Sequence, residues 1–383
     1  MKSTPSKVTC GCSRTNMLIF VVGMVSLLSA LSWNNLTRIS RMIILPNHLT
    51  DEHTNTNISG KGQSYSKTSS YDDVTSSTRS CKPLTKFVFV KPEKTGGSTV
   101  SSLLLRFGMK NKLVAALKKL TIEDYLIRLD KKNHRLGILY YNCSDFPGYD
   151  YICLHIDMYD RLSLKRIIPN AKYFTIVRSP YTHLKSRFYY SRRGMNLAMS
   201  PDPFARYLSD LLEDIKVDKS LLHWTNSFST RFGLDVYANK TSSLAALERL
   251  NGELDLVMLL EYFDESLVLL KKTMCWNFED VIYNSCKVHT KYQPPINNQM
   301  RDIITELSPA DIRLYNFFNN TFWRRVANYD SDFEADLAKL RSVQNAAKVR
   351  CQKDRDRDFC HRLQSDVAEL NNKVYEEQMK WLC

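Results

Sequence analysis

The stretch that decides the fold is Lys86-Phe-Val-Phe-Val-Lys-Pro-Glu-Lys-Thr-Gly-Gly-Ser-Thr-Val100. Its apolar run over residues 87–90 predicts a buried strand, and residues 100–107 predict a helix that ends with Gly108 at its C′ position. The loop between them is Lys94-Thr-Gly-Gly-Ser-Thr99. A glycine turn from a strand into a helix presents backbone N–H groups, and the helix dipole favours an anion there. The sequence therefore predicts an anion-binding loop, although an ordinary strand-to-helix turn beside a lysine has the same pattern.

The composition indicates a globular chain with an excess of positive charge. The chain has 383 residues, of which 43% are hydrophobic, and a formal net charge of +14. This length accommodates one large domain or two ordinary ones. Because the basic residues form no consecutive block, a nucleic-acid-binding tail is not indicated. The diffuse charge fits a small anionic ligand or an acidic membrane surface.

The N-terminal region contains an apolar segment that is long enough to span a membrane. Residues 17–33 carry no charge, and we expect them to form an uncleaved signal anchor with residues 1–16 as a cytosolic tail. A cleaved signal peptide is the alternative, but its apolar core is usually shorter. Residues 34–80 are expected to be a flexible luminal stem. From about residue 49 onward they are rich in Ser, Thr, Asn and Asp and poor in apolar residues.

Sequons and cysteines support a luminal location. Asn-X-Ser/Thr sequons occur at Asn35, Asn57, Asn142, Asn239 and Asn319. Eight of the ten cysteines follow residue 33, which indicates disulfide bonds in an oxidising compartment. Cys275 with Cys286 and Cys351 with Cys360 are candidates for local pairs. A metal site formed by Cys351, Cys360 and His361 is rejected, because their spacing fits no familiar zinc pattern.

From Cys81 onward, short apolar runs alternate with amphipathic segments. This alternation predicts an α/β fold with a mainly parallel central sheet flanked by helices. Residues 113–129 are predicted to form a peripheral helix. Residues 149–154 are predicted to form a strand that delivers His155 at its carboxyl end, where parallel sheets place their ligands. A single histidine is more often a packed residue, but the nearby anion-binding loop favours a functional role.

A second strand and helix carry a predicted phosphate clamp. Residues 173–177 are predicted to form a strand with Arg178 at its exit, and Pro180 begins a helix at a favoured position. Ser186 lies two turns into that helix, so its hydroxyl and the Arg178 guanidinium are expected to converge on one phosphate. An isolated strand-end arginine is more often a surface ion-pair residue. Glu261 follows a predicted strand over residues 256–260 and either lines the cleft or acts as a cap.

These motifs resemble those of the galactose-3-O-sulfotransferases. The loop at residues 94–99 resembles the one with which Golgi carbohydrate sulfotransferases hold the 5′-phosphosulfate of 3′-phosphoadenylyl sulfate (PAPS). Arg178 with Ser186 resembles their 3′-phosphate clamp. More distinctive is the segment Leu259-Leu-Glu-Tyr-Phe-Asp-Glu-Ser-Leu-Val-Leu-Leu-Lys271. The similarity covers residues 87–326 and includes Cys275-Trp276, Glu279-Asp-Val-Ile-Tyr283, Asp311, Leu314-Tyr315, Phe318-Asn319 and Phe322-Trp323-Arg324.

The resemblance implies a P-loop-like sulfotransferase fold over residues 81–329 and a Golgi membrane enzyme of type II topology. The implied reaction transfers the sulfuryl group of PAPS, as co-substrate and without a metal, to the 3-hydroxyl of galactose. The acceptor would be a galactosylceramide-type glycolipid or a glycan, and no nucleic acid is expected as a partner. The PAPS-binding residues would be Lys94, Thr95, Gly96, Gly97, Ser98, Thr99, Arg178 and Ser186.

The implied catalytic residues are Lys94, His155 and Glu93. Lys94 would stabilise the bridging oxygen as it leaves. His155 is the expected base, because neutral imidazole is available near neutral pH. Relatives usually have His at the position of Glu93, between two lysines. Glu93 is therefore the alternative base, and the choice of acceptor stays open.

Two other functions are compatible with these motifs. A uronyl or hexosaminyl O-sulfotransferase of glycosaminoglycans would share the Lys-Thr-Gly-Gly loop, but the Glu-Tyr-Phe-Asp-Glu-Ser segment argues against it. The second alternative is a luminal glycan-binding protein that kept the fold and lost catalysis. Glu93 is the only feature that favours it. Residues 330–383 are predicted to form a charged helical extension. It is interpreted as a solvated helix pair, with an arm for homo-oligomer formation as the alternative.

Overall fold

The computed structural model describes residues 81–117, 146–191, 202–284, 294–353 and 356–382, together with short strand segments at 126–127, 129–130 and 135–136. The expected cytosolic tail, signal anchor and stem, over residues 1–16, 17–33 and 34–80, lie outside the described residues. Within the part of the chain that is described, no helix is long and apolar enough to cross a membrane.

A parallel sheet forms the centre of the fold, as predicted. Its strands, in spatial order, are β5 (Tyr151–Ile152), β1 (Phe87–Val90), β7 (Lys172–Val177) and β8 (Leu256–Leu259). Two small pairs accompany it: β2 (Leu126–Ile127) with β6 (His155–Ile156), and β3 (Leu129–Asp130) with β4 (Arg135–Leu136). Every residue of β1 is completely buried. An uninterrupted run of Phe and Val suits this position, because a strand covered on both faces has no polar side.

Helices cover the sheet. Before β8 they are α1 (Gly97–Lys110), α2 (Arg161–Ile167), α3 (Pro180–Tyr190), α4 (Pro203–Val217), α5 (Leu222–Thr225), α6 (Ser227–Arg231) and α7 (Lys240–Glu253). After it they are α8 (Phe263–Met274), α9 (Asn298–Leu307), α10 (Pro309–Ala327), α11 (Phe333–Gln352), α12 (Arg357–Gln364) and α13 (Val367–Leu382). The predicted start of a helix at Pro180 is confirmed, since proline fits the first helical position, where no N–H is required.

The end of α1 differs from the prediction. The helix continues through Gly108 to Lys110, so Gly108 does not occupy the C′ position. A Cβ added at Gly108 would lie 2.2 Å from Tyr151 Oη, and Tyr151 is completely buried in β5. Glycine is therefore required here for the close approach of a helix to a strand.

The prediction of a peripheral helix over residues 113–129 is wrong for the residues of this region that the structure describes. Residues 113–117 form no helix and are buried, and Ala115 makes a parallel bridge to Tyr151 at the edge of the sheet. Strands β2 and β3 follow. The leucines and alanines that suggest a helix are instead covered on both sides, and this tertiary burial overrides their helix propensity.

The C-terminal helices pack on the domain. Leu337 and Leu340 of α11 and Leu370 and Val374 of α13 belong to the same buried cluster as β1. Gln378 of α13 accepts a hydrogen bond from the Ala115 N–H at 3.0 Å and donates one to the Ala115 carbonyl at 3.3 Å. The predicted helices are present, and their apolar faces are buried rather than solvated.

One of the two predicted local disulfides is confirmed. Cys351 and Cys360 are bonded, so they are not metal ligands. Cys81 and Cys275 each take part in a disulfide bond. Cys286 lies outside the described residues, so its predicted pairing with Cys275 stays a prediction. Cys153 is a buried free thiol.

Candidate active site

The loop after β1 has the backbone of a tight turn. Lys94 and Gly96 both have positive φ angles, 58° and 77°, which glycine adopts without strain and lysine rarely does. A Cβ on Gly96 would lie 2.7 Å from Leu260 Cδ1, and one on Gly97 would lie 2.9 Å from Lys91 Cγ. Packing therefore favours glycine at both positions, and at Gly96 the backbone conformation favours it as well.

The N-terminus of α1 is arranged to receive an anion. Within the described residues, no side chain caps α1 at Gly96, and its first turn contains no acidic residue. Ser98 and Thr99 are partly exposed there. Thr95 is completely buried, and its hydroxyl donates to the Pro92 carbonyl at 3.2 Å, so Thr95 can contribute its backbone to a ligand. Unpaired N–H groups and the helix dipole at this end favour negative charge.

Arg178 lies at the exit of β7, next to this loop. Its Nε donates to Thr182 Oγ1 at 2.9 Å, and its Nη1 donates to the Lys94 carbonyl at 3.2 Å. Burial lowers the pKa of Arg178, and the nearby Glu261 opposes this shift. The structure thus brings Arg178 to the loop. Ser186 is partly exposed in α3, the helix that follows Arg178. Its convergence with Arg178 on a phosphate stays a prediction.

Glu261 has the capping role that the sequence left as one of two options. Its Oε1 accepts from the Ser179 N–H at 2.9 Å, and its Oε2 accepts from Tyr315 Oη at 3.1 Å. Ser179 immediately precedes α3, so the carboxylate satisfies an N–H group at the start of this helix. Glu261, in the short helical turn after β8, therefore connects this end of the sheet to the segment that carries Arg178.

His155 lies beside the end of β1. Its Nδ1 is 3.0 Å from the Lys91 carbonyl. Because a carbonyl oxygen only accepts, Nδ1 carries the proton and Nε2 keeps a lone pair. Burial, followed by the charges of Lys91 and Arg231, lowers the pKa of His155 to about 3. The imidazole is therefore neutral in this tautomer over the physiological pH range.

Comparison with known proteins identifies the family of this chain. The sequence model for galactose-3-O-sulfotransferase matches residues 52–365. The chain belongs to this family. The predicted resemblance is confirmed, and the match extends beyond residues 87–326 into α11 and α12.

Among its relatives, this galactose-3-O-sulfotransferase family member is 28% identical to the galactosylceramide sulfotransferase of Mus musculus over 71% of the chain. It is 28% identical to galactose-3-O-sulfotransferase 3 of Bos taurus over 69% of the chain, and 24% identical to galactose-3-O-sulfotransferase 2 of Mus musculus over 64%. These alignments cover 65%, 63% and 63% of the respective relatives.

In this family member, Glu93 is paired with an arginine. The Glu93 side chain is 55% exposed, and its Oε1 is 3.9 Å from Arg231 Nη2. Arg231 is largely buried, and it also donates to the carbonyls of Ile156 and Asp157. Arg231 therefore links Glu93 to the strand of His155. Sequence reasoning missed Arg231, because it lies far along the chain and in no recognisable motif.

A pair of reciprocal caps fixes the helix that carries Arg231. Asp311 accepts from the N–H groups of Phe228 and Ser229 in α6, at 3.0 and 2.7 Å. Asn226 Oδ1 accepts from the N–H groups of Ala310 and Asp311 in α10, at 2.8 and 3.0 Å. Burial raises the pKa of Asp311 to about 6, although these hydrogen bonds favour its ionised form. Asp311, which the resemblance singled out, therefore has a structural role as the cap of α6.

Two further residues of α3 contact the loop or its surroundings and were also missed. His183 is buried, and its Nε2 donates to the Glu93 carbonyl at 2.9 Å. Burial lowers the pKa of His183 well below its ordinary value, so it acts as a neutral donor. Arg187 donates to the Trp224 carbonyl at 2.6 Å. The sequence did offer a signal for them: His183 and Arg187 are spaced i, i+4 on a helix that follows Arg178, so they lie on one face of it.

Proposed function

We propose that this chain is a Golgi sulfotransferase that transfers the sulfuryl group of PAPS to the 3-hydroxyl of galactose in a glycolipid or glycan. The observation that carries the proposal is the contact between Arg178 and the carbonyl of Lys94. It joins an uncapped helix N-terminus to a guanidinium at the carboxyl edge of a parallel sheet. A nucleotide with phosphates at both 5′ and 3′ positions needs two such anion sites close together.

The residues present fit the donor. The backbone from Thr95 to Thr99 would hold the 5′-phosphate, since no side chain caps this end of α1 among the described residues. The N–H groups before Thr99 would be its donors, because the Thr99 N–H donates to the Gly96 carbonyl at 2.9 Å. The hydroxyls of Ser98 and Thr99 would add donors to that site. Arg178 would hold the 3′-phosphate together with Ser186, because guanidinium donors match phosphate oxygens in geometry and charge.

His155 is the proposed base. Its Nε2 keeps a lone pair because Nδ1 is engaged with the Lys91 carbonyl. This contact also fixes the orientation of the ring, as hydrogen-bonded partners of catalytic imidazoles do. Glu93 is the second choice, because its carboxylate is half-exposed and faces Arg231.

The proposed reaction is an in-line displacement at sulfur. The acceptor hydroxyl oxygen forms a bond to sulfur, the bond from sulfur to the 5′-phosphate oxygen breaks, and the hydroxyl proton passes to His155 Nε2. Charge accumulates on the leaving oxygen, where the ammonium group of Lys94 would stabilise it. As in phosphoryl transfer, the protein contributes mainly positioning and electrostatic stabilisation.

The acceptor is inferred from the relatives. Their names include both galactosylceramide sulfotransferase and galactose-3-O-sulfotransferases 2 and 3, so galactose is the shared element. Membrane attachment through residues 17–33 would place the catalytic domain in the lumen, near both glycolipids and glycoproteins. This part of the proposal rests on the uncharged N-terminal sequence.

The experiment that tests the function is a transfer assay with labelled PAPS and the full-length chain. The acceptors are galactosylceramide, lactose-type glycans and heparan, and we expect label on a galactoside. Lys94→Ala should lower the rate by about 10²–10³-fold, as removal of one transition-state donor does. The matched control is Lys110→Ala, at the other end of α1, where the lysine pairs with Asp280 at 2.6 Å.

Each outcome of this assay has a defined meaning. Transfer to heparan alone would indicate a glycosaminoglycan sulfotransferase and contradict the proposal. Binding of the product nucleotide, 3′-phosphoadenosine 5′-phosphate (PAP), without transfer to any galactoside would indicate a member of the fold that has lost this activity.

A further inference from the structure

The side chain of Lys94 rests on an aromatic ring. Its Nζ lies 3.7 Å from the centroid of the Tyr190 ring, well inside the range of about 6 Å in which a cation is attracted to the negative face of an aromatic ring. Tyr190 is the last residue of α3. Its side chain is 65% exposed, so burial in the core does not account for its position.

Tyr190 belongs to a row of α3 side chains that follows the loop. His183, Arg187 and Tyr190 are spaced i, i+4 and i+7, which places them on one face of the helix. His183 donates to the Glu93 carbonyl at 2.9 Å, and the charge of Arg187 acts on Glu93. Two residues before α3, Arg178 donates to the Lys94 carbonyl. The same helix thus holds the backbone of the loop and, through Tyr190, the ammonium group.

The backbone of Lys94 adds to this constraint. Its positive φ of 58° is unusual for a residue with a side chain. The carbonyl is fixed by Arg178, so the remaining freedom of the residue lies in its flexible side chain. A ring beneath the ammonium group removes much of that freedom before a substrate binds, and preorganisation of this kind favours the transition state.

We infer that Tyr190 is a positioning residue that holds the Lys94 ammonium group in place for sulfuryl transfer. This inference rests on the proposed function, because it assigns Tyr190 a role through Lys94. It predicts an effect on kcat rather than on the binding of PAPS, whose phosphates are held by the α1 N-terminus and Arg178. It also predicts that the aromatic face matters and the hydroxyl does not.

The kinetic test uses the full-length chain and the galactoside that the transfer assay identifies. Tyr190→Leu should lower kcat by about 2–5-fold, the range expected from loss of one cation–π contact at an exposed site, while the KM for PAPS changes by less than about 1.5-fold. Tyr190→Phe should retain wild-type kcat. The matched control is Tyr181→Leu at the other end of α3, where the ring faces Arg301 at 5.1 Å and no loss is expected.

A second measurement detects the contact itself. Reductive methylation with ¹³C-formaldehyde labels lysine amines, and the Lys94 signal is identified as the one that Lys94→Ala removes. An ammonium group over a ring is shielded, so this signal should lie upfield in the wild type and in Tyr190→Phe. It should return to the position of solvent-exposed lysines in Tyr190→Leu.

The outcomes separate this inference from the function on which it rests. If Lys94→Ala keeps full activity, the proposed function of the loop is wrong. If Lys94→Ala is inactive but Tyr190→Leu has wild-type kcat, or if the Lys94 signal is the same in the wild type and in Tyr190→Leu, the role of Tyr190 is refuted alone. A defect in Tyr190→Phe equal to that in Tyr190→Leu would also refute it, since it would implicate the hydroxyl.

Discussion

At the scale of single residues, the two candidate bases have different surroundings. His155 is held by the Lys91 carbonyl and stays neutral, because burial and two neighbouring cations oppose its protonation. Glu93 is half-exposed and lies 3.9 Å from Arg231. A neutral imidazole with one free nitrogen can accept a proton from a sugar hydroxyl, whereas the Glu93 carboxylate is engaged by Arg231.

The first prediction compares these two residues. His155→Ala should lower kcat by about 10²–10⁴-fold, the usual contribution of a general base. Glu93→Ala should lower it by less than about tenfold, because it removes an ion pair near the site rather than the base. Both are measured as initial rates at saturating PAPS and acceptor. The reverse ranking would assign the proton transfer to Glu93.

A second prediction concerns Asp311, whose pKa is raised to about 6 by burial, against about 3.9 in an unfolded chain. Because the folded pKa is the higher one, this group contributes most stability below pH 4 and loses its contribution as the pH rises to 6. Asp311→Asn cannot titrate. The advantage of the wild type over this variant should therefore shrink by on the order of 2–3 kcal/mol between pH 4 and pH 7.

Urea unfolding of both proteins at each pH checks this prediction. The difference between the two unfolding free energies is the measured quantity, so other titrating groups cancel. A difference that stays constant with pH would show that Asp311 has an ordinary pKa.

At the scale of elements, the sequence pattern predicted the secondary structure correctly where the local preference of the residues agrees with their tertiary surroundings. The run Phe87–Val90 is a strand, and the loop after it leads directly into α1. Residues 113–117 misled the prediction, because Leu and Ala favour a helix in isolation. Their actual conformation depends on Tyr151 in β5 and on Gln378 in α13. Neither neighbour could be identified from local periodicity.

The contact of α1 with β5 gives a third prediction. Gly108→Ala should destabilise the fold by about 1–3 kcal/mol, because the new Cβ overlaps the buried ring of Tyr151. Gly252→Ala in α7 is the matched control: nothing lies within 4 Å of its added Cβ, so it should stabilise by about 0.5–1 kcal/mol through helix propensity. Urea unfolding measures both. Equal effects would mean that the helix–strand contact is looser than described.

At the scale of the whole molecule, the C-terminal helices complete the domain. Gln378 pairs with both backbone groups of Ala115, and side chains of α11 and α13 enter the central core. The sequence indicated these helices but not their packing, because charged residues are so numerous in them that their narrow apolar stripe is not evident from the sequence. The site shows the same limit. Lys94 and Arg178 follow strands as predicted, but His155 begins the short strand β6 instead of ending a strand over residues 149–154. Arg231 and Tyr190 are recognised only from contacts.

A fourth prediction tests this packing. Gln378→Ala should cost about 1–3 kcal/mol, because it leaves the buried N–H of Ala115 without its partner, whereas the Ala115 carbonyl still accepts from the Leu117 N–H at 3.1 Å. Glu376→Ala, at an exposed position of the same helix, should change the free energy of unfolding by less than about 0.5 kcal/mol. If both variants unfold at the wild-type urea concentration, α13 is not needed to stabilise this edge of the sheet.

The central claim is that Arg178 and the loop at residues 94–99 form one site for a nucleotide with 5′- and 3′-phosphates. The most direct measurement is calorimetric titration of the full-length chain and of Arg178→Ala with PAP and with AMP, which lacks the 3′-phosphate. A charge-assisted contact to phosphate corresponds to about 10–100-fold in affinity. We predict that the wild type prefers PAP by about this factor and that Arg178→Ala binds both nucleotides equally. An undiminished preference for PAP in Arg178→Ala, or equal binding of PAP and AMP by the wild type, would contradict the claim.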